Sequence, residues 1–349
     1  MMKHFKGNRL SVRLIAALLA LLLVPAAVMA ETVEVEDVPD LPNYALPIDF
    51  TPGPALKNSA FSQTKDANGN SVHTYEDSTI RATVYTDVYK GPDGSWTHTD
   101  IWVADVTISD PSQLRTASFD DNFDFVSTKR AGKIVTLAKR LNAVVAVDGD
   151  SWGANSRNEK NGFGVVFRQG KLIKSALDEK GKYKMDLLIV DAWGDFHGIH
   201  AAEPGDLDDP YTFEGKKVMD IFSFGPILVE NGEAIYDYQG VDREPALGGS
   251  WMDMRALKDA QRIALCQIGP LHYLIAASAG QIGGNRGLSM PEFADYLVSK
   301  GVQFAYNLDG GVSSVLYFPG AGNNGKVNLK SRAQGRDLWD LVYFATAEK

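Results

Sequence analysis

Within eight residues, Asn307-Leu308-Asp309-Gly310-Gly311-Val312-Ser313-Ser314, the chain gathers a carboxylate, two glycines and two hydroxyls, directly after the apolar run Val302 to Tyr306. Glycines let a backbone bend or lie against another segment. The polar groups are therefore expected at an exposed strand end, where catalytic loops sit on a rigid scaffold. Asp-Gly-Gly is also what a hairpin turn looks like, and the neighbouring clusters bear on the choice. Asp148-Gly149-Asp150-Ser151-Trp152 follows a second apolar run, Ala143 to Val147; Arg262 opens a third and Arg336 precedes a fourth. If these strand ends converge, two or three carboxylates and two arginines surround one pocket. Paired carboxyls suit attack at a sugar C1, one protonating the leaving oxygen and one acting on the opposite face. Guanidinium groups suit bidentate contact with a phosphate. Taken singly, such aspartates are turn formers and such arginines are solvated.

The elements that must position these groups are mostly strands. Ile80 to Tyr89 and Asp100 to Ser109 alternate as half-buried strands do, with the turn-rich Gly91-Pro92-Asp93-Gly94 between them. Hairpins are expected at Gly164 to Phe167 with Lys171 to Lys174, at Phe222 to Val229 followed by Asn231-Gly232, and at Arg262 to Gly269 with His272 to Ala277. Ser127 to Leu141 has helical spacing, with Ile134, Leu137, Ala138 and Leu141 on one face. Ser289 to Lys300 is the clearest helix: Ser289 caps it, Pro291 suits its first turn, Glu292 completes a capping box and Gly301 stops it. The strand Val302 to Asn307 then delivers the Asp309 loop, and Leu338 to Ala345 is a last strand. The expected fold class is α+β, a single domain with a mixed, largely antiparallel β-sheet and a few packed helices.

In order along the chain, these motifs resemble those of the phosphodiester glycosidase family. Asn307 to Ser314 is similar to the family's Asn-Leu-Asp-Gly-Gly-Gly-Ser, and Ala146-Val147-Asp148-Gly149-Asp150 to its Ala-Ile-Asn-Gly-Gly. Gly225 to Gly232, Gln261 to Ala264, Arg286 to Leu297 and Arg336 to Asp340 also fit, so that the resemblance runs from about Tyr75 to the C-terminus. It implies hydrolysis of a phosphodiester whose one side is the anomeric carbon of a sugar, such as an N-acetylglucosamine 1-phosphodiester, with cell-wall or exopolysaccharide glycans as the setting. The alternatives are a catalytically silent glycan-binding domain on the same scaffold and a metal-dependent phosphodiesterase cutting P–O. It implies Asp309 as the catalytic or ligand-orienting carboxylate; Asp148 and Asp150, from the residues themselves, complete the candidate catalytic set. Arg262 and Arg336 would meet the phosphate, with Arg286 also in the substrate-binding set. Gly149, Gly310 and Gly311 would shape the pocket, and Ser313 and Ser314 would donate hydrogen bonds. Trp152 is placed to stack on a sugar ring. Two departures stand out. Asp148 and Asp150 replace Asn and a small residue, adding negative charge that would either repel a phosphate or hold a bridging divalent cation. Val312 replaces a glycine.

The first thirty residues read as an export signal: Lys3, Lys6, Arg9 and Arg13 precede the apolar stretch Leu14 to Val28, and Ala30 suits cleavage. That stretch is shorter than the roughly twenty residues that span a bilayer, so a secreted or extracytoplasmic protein with no membrane span is expected. Removing the signal takes away four positive charges and moves the net charge from −9 to −13. Such a chain is a poor partner for nucleic acid or an anionic membrane. Residues 31–74, acidic and then proline-punctuated, are expected to be an extended leader with little regular structure before Tyr75, and 75–349 the domain. Cys266, the only cysteine, lies in an apolar run and reads as a core thiol. His197 and His200 are three apart, a metal-ligand spacing on a helix, yet Gly194 and Gly198 favour ordinary loop histidines. The acidic Glu203 to Asp209 lacks the spacing of an EF-hand.

Overall fold

The computed structural model describes residues 41–91, 98–120, 131–149, 164–176, 186–200, 202, 205–207, 209–236, 257–322, 324–328 and 336–348. Strands dominate, and every strand pairing among the described residues is antiparallel. They form three sheets, not the one mixed sheet expected. The largest sheet, of nine strands, centres on the expected pair Ile80–Tyr89 and Thr99–Ile108. Thr99–Ile108 pairs in turn with His272–Ser278, which pairs with Ile263–Gly269, then Phe304–Asn307, Ile227–Glu230 and Glu233–Ala234. A second sheet holds Leu187–Asp191, Lys216–Phe222 and the hairpin Gly164–Arg168 with Lys171–Ala176. The third runs Leu316–Tyr317, Val145–Asp148, Asp340–Phe344 and Leu114–Ser118.

One apolar cluster joins all three. Val84, Leu265, Ile275 and Tyr306 of the first sheet pack with Leu188 and Phe222 of the second and Val145, Val342 and Phe344 of the third. The opposite face of the nine-stranded sheet is covered by the helix Met290–Ser299, whose Phe293, Ala294 and Leu297 meet Ala264, Cys266, Leu274 and Ala276. That helix starts where its local sequence says. The Ser289 hydroxyl accepts from the Glu292 N–H at 3.4 Å, while the Glu292 carboxylate accepts from the Ser289 N–H at 2.9 Å. Cys266 is fully buried, and burial pushes its thiol up, away from reactivity.

Three expectations need correction. Regular structure begins before Tyr75: Phe61–Lys65 pairs with Ser71–Glu76 at the edge of the large sheet. The polar stretch between them is the turn, closed by Asp66 Oδ1, which accepts from the N–H groups of Asn68 and Asn70 at 2.9 and 2.7 Å. Of these two strands only Tyr75 is buried, so they carry little hydrophobic alternation. Phe222 to Val229 is not one strand. It breaks at Ser223–Pro226, sending Lys216–Phe222 into the second sheet and Ile227–Glu230 into the first. The helix expected over 127–141 spans Ile134–Arg140, Ser127 lying outside the described residues; just before it, Gly132 bridges to Leu338 and holds the chain extended.

Candidate functional site

The Asp309 loop is an extension of a ladder. Phe304–Asn307 pairs with Ile263–Gly269, Asn307 opposite Ala264. The bonding continues beyond the strand: Leu308 N–H donates to Ile263 O at 2.9 Å and Gly311 N–H to Gln261 O at 3.0 Å. The loop therefore lies along residues 261–263. Gly310 is required by this approach, because a Cβ there would sit 2.6 Å from Gln261 O. A short 3-10 turn over Gly311–Ser313 follows. Asn328 then clamps the exit, its Oδ1 accepting from Leu316 N–H at 3.0 Å and its Nδ2 donating to Ser314 O at 2.9 Å. Arg336 grips the same loop twice. Its N–H donates to Val312 O at 3.3 Å, and its guanidinium donates to the Asp309 carboxylate. In this ion pair the arginine side chain is 36 % exposed and the aspartate 11 %, so the pair is reachable from solvent.

Asp148 ends the strand Val145–Asp148 and is fully buried. Its Oδ1 accepts from Val315 N–H at 2.8 Å, tying it to the far end of the Asp309 loop. Its Oδ2 is buried with no hydrogen-bond partner among the described residues. Burial holds this carboxyl well above the ordinary aspartate range; the Val315 bond works against that, and the charges of Asp309 and Asp340 raise it further. Ser313 Oγ and Gln261 Nε2, on the loop and on the strand start it lies against, are likewise buried without partners among the described residues. Native structures rarely leave such groups unpaired.

Beneath the Asp148 turn is a buried ion pair. Arg168 Nη2 and Asp340 Oδ2 lie 3.2 Å apart with side-chain exposures of 0 and 1 %. The Arg168 guanidinium also donates to the carbonyls of Phe167, at 3.0 Å, and Ile221, and lies 4.2 Å from the centre of the Phe222 ring. Gly149 fits against this pair: a Cβ on it would meet the Asp340 carboxylate at 2.5 Å.

Asp309, Arg336, Asp148, Gly149, Gly310, Gly311 and Ser313 are thus brought together. Arg262 joins through its backbone. Its guanidinium is buried and donates to Leu288 O at 3.0 Å and Lys258 O at 2.7 Å. Ser314 is buried, and its hydroxyl accepts from Asn328 at 3.3 Å. Arg286 braces the helix start, paired with Asp259 at 2.9 Å and Glu292 at 3.2 Å. Asp150 and Trp152 lie outside the described residues. The two histidines do not share a ligand: His197, within the strand Phe196–Ile199, bonds Asp191 at 3.0 Å, and His200, just past its end, bonds Glu230 at 3.2 Å. Among the described residues no three His, Cys, Asp or Glu side chains gather to hold a metal ion. Sequence reasoning passed over Arg168 and Asn328. The first closes the apolar run Gly164 to Phe167, where a lone arginine in a fully buried strand was a readable sign of a buried partner.

The antiparallel scaffold is shared with a solved structure. The zebrafish N-acetylglucosamine-1-phosphodiester alpha-N-acetylglucosaminidase catalytic domain, auto-inhibited by its pro-peptide, is similar at TM-score 0.56 and 15 % identity, over 82 % of this chain and 88 % of that one. A hypothetical protein from Synechocystis is similar at TM-score 0.44 and 13 % identity, over 84 % and 80 %. No curated protein sequence matches the chain. Residues 141–344, which carry Asp148, Arg168, Asp309, Arg336 and Asp340, match the phosphodiester glycosidase family, and the chain belongs to that family.

Proposed function

We propose that this chain is an exported hydrolase that cleaves a sugar 1-phosphodiester, of the N-acetylglucosamine 1-phosphodiester kind, at the bond between C1 and the phosphate oxygen. The observation that carries the reading is the solvent-reachable Asp309–Arg336 pair at a strand end, next to a buried carboxyl, Asp148, that favours its proton. Two carboxyls with environments this different hold opposite protonation states at one pH. In this reading Arg336 turns its guanidinium from Asp309 to the substrate phosphate. The freed Asp309 then takes the proton of a water attacking C1, while the C1–O bond breaks and its electron pair leaves with the phosphomonoester. Asp148 holds the loop through Val315 and stays the protonated neighbour, so that two negative charges do not face the phosphate together. Arg262 fixes the strand start, and Gln261 and Ser313 supply buried polar atoms that have no partner among the described residues. From the sequence alone, Asp150 is read as a second acid or cation ligand and Trp152 as a sugar-stacking ring. Residues 1–30 are read as the export signal; no described helix is long and apolar enough to cross a membrane.

Incubation with a panel of sugar 1-phosphodiesters, with and without chelator, in ¹⁸O-water tests this. Release of a phosphomonoester with the label on the sugar is expected. Label on the phosphate, or no release from any member of the panel, overturns the reading.

A further inference from the structure

An open groove of about 480 Å³, within the size range of small-ligand sites, is walled by the segment that follows the Asp309 loop. Its wall includes Gln63 and His73 from the edge hairpin, Lys139 from the helix Ile134–Arg140, and Tyr317, Gly320 and Asn324 from the segment after the loop. The wall is built, not incidental. The His73 ring is hydrogen-bonded to the Gly320 backbone, and the Lys139 ammonium donates to Asn324 Oδ1. The groove is close to the proposed reaction centre: Val315, bonded to Asp148, is two residues before Tyr317, roughly 7 Å along an extended chain. Its charge is unusual for this protein. The chain has 44 acidic residues and a net charge of −9, yet among the described residues no carboxylate lines the groove, which presents a lysine, two amides and an imidazole. Such a set donates to hydroxyls and tolerates an anion. Burial and Lys65 lower the pKa of His73, so it offers a neutral ring to a hydroxyl. Gln63, His73 and Lys139 all precede residues 141–344, the segment that matches the family.

We infer that the groove binds the neighbouring unit of a polymeric sugar phosphate, which makes the substrate a phosphodiester-linked glycan and not a small sugar 1-phosphodiester. The inference rests on the proposed function for its catalytic half and on the groove alone for its binding half, and the two are measured apart. The probes are a trimer of N-acetylglucosamine linked through 1-phosphodiesters and the methyl phosphodiester of one N-acetylglucosamine 1-phosphate. Lys139→Glu reverses the groove's ammonium, and Gln63→Trp, at an exposed position on an edge strand, fills the groove sterically. Both variants are expected to lower kcat/KM for the trimer by roughly tenfold while leaving the methyl phosphodiester unchanged. Equal effects on both probes, or none on the trimer, overturn the inference. If the wild type cleaves neither probe, the proposed function falls and the groove is judged by calorimetric binding of the trimer. Affinity weakened roughly tenfold in both variants upholds the site; absent binding, or binding equal to wild type, removes it.

Discussion

Replacing Asp340 by Asn should cost this protein about 3 kcal/mol of stability, an outcome that follows from what it leaves behind. The substitution keeps volume and shape but removes the charge facing Arg168 Nη2 at 3.2 Å, in a pair with side-chain exposures of 0 and 1 %. Removing one partner of a buried pair costs roughly 3–5 kcal/mol, because the other charge is stranded out of water. The lower end applies here. Arg168 keeps its bonds to the carbonyls of Phe167 and Ile221 and the face of Phe222, and a desolvated cation–π contact is worth about 2 kcal/mol by itself. Urea unfolding followed by tryptophan fluorescence on Asp340→Asn, Arg168→Met and the double variant measures this. The double variant should lose clearly less than the sum of the singles, since it strands no charge. A second readout concerns the site. The Asp340 charge is among the influences that raise the Asp148 carboxyl, so Asp340→Asn should shift any pH limb that Asp148 contributes to lower pH. A stability loss below about 1 kcal/mol for Asp340→Asn, or strictly additive singles, would refute the reasoning.

Asp309→Asn should fold like the wild type by circular dichroism and lose turnover by about 10²–10⁴-fold; undiminished turnover removes Asp309 from the chemistry. Gly310→Ala drives a methyl to 2.6 Å from a backbone carbonyl. It should destabilise by about 1–3 kcal/mol in chemical denaturation and lower activity by moving Asp309; wild-type behaviour would mean the loop can give way. Asp220 is buried, and burial pushes it up to about 6 against the pull of Arg168 and the Thr116 hydroxyl. A carboxyl raised in the folded state favours folding below its unfolded value of 3.8 and loses that contribution as pH rises through about 6, a swing of roughly 3 kcal/mol. Asp220→Asn keeps an acceptor for Thr116 and Gln169, so its stability relative to wild type should improve by that amount between pH 4 and pH 7; parallel profiles contradict it.

What the residues settle locally was legible from the chain alone. Ser289, Pro291 and Glu292 specify the helix start through bonds made within four residues, and the alternation in Ile80 to Tyr89 specifies a strand with one buried face. The polar, glycine-bearing loop after Tyr306 could be read as a candidate site because apolar run, carboxylate and glycines are contiguous. The edge hairpin at 61–76 could not, since its strands bury almost nothing and its turn reads as a linker. Nor could the chain show three sheets in place of one, because short buried strands such as Leu187–Asp191 carry no sign of which neighbour they pair with. Tertiary structure also decided the state of the site. Arg336 and Asp309 are 27 residues apart and Arg168 and Asp340 are 172 apart. The proton preference of Asp148 comes from burial where the sheets meet. Desolvation and charge pairing depend on what surrounds a group in space, and the order of residues along the chain does not contain that.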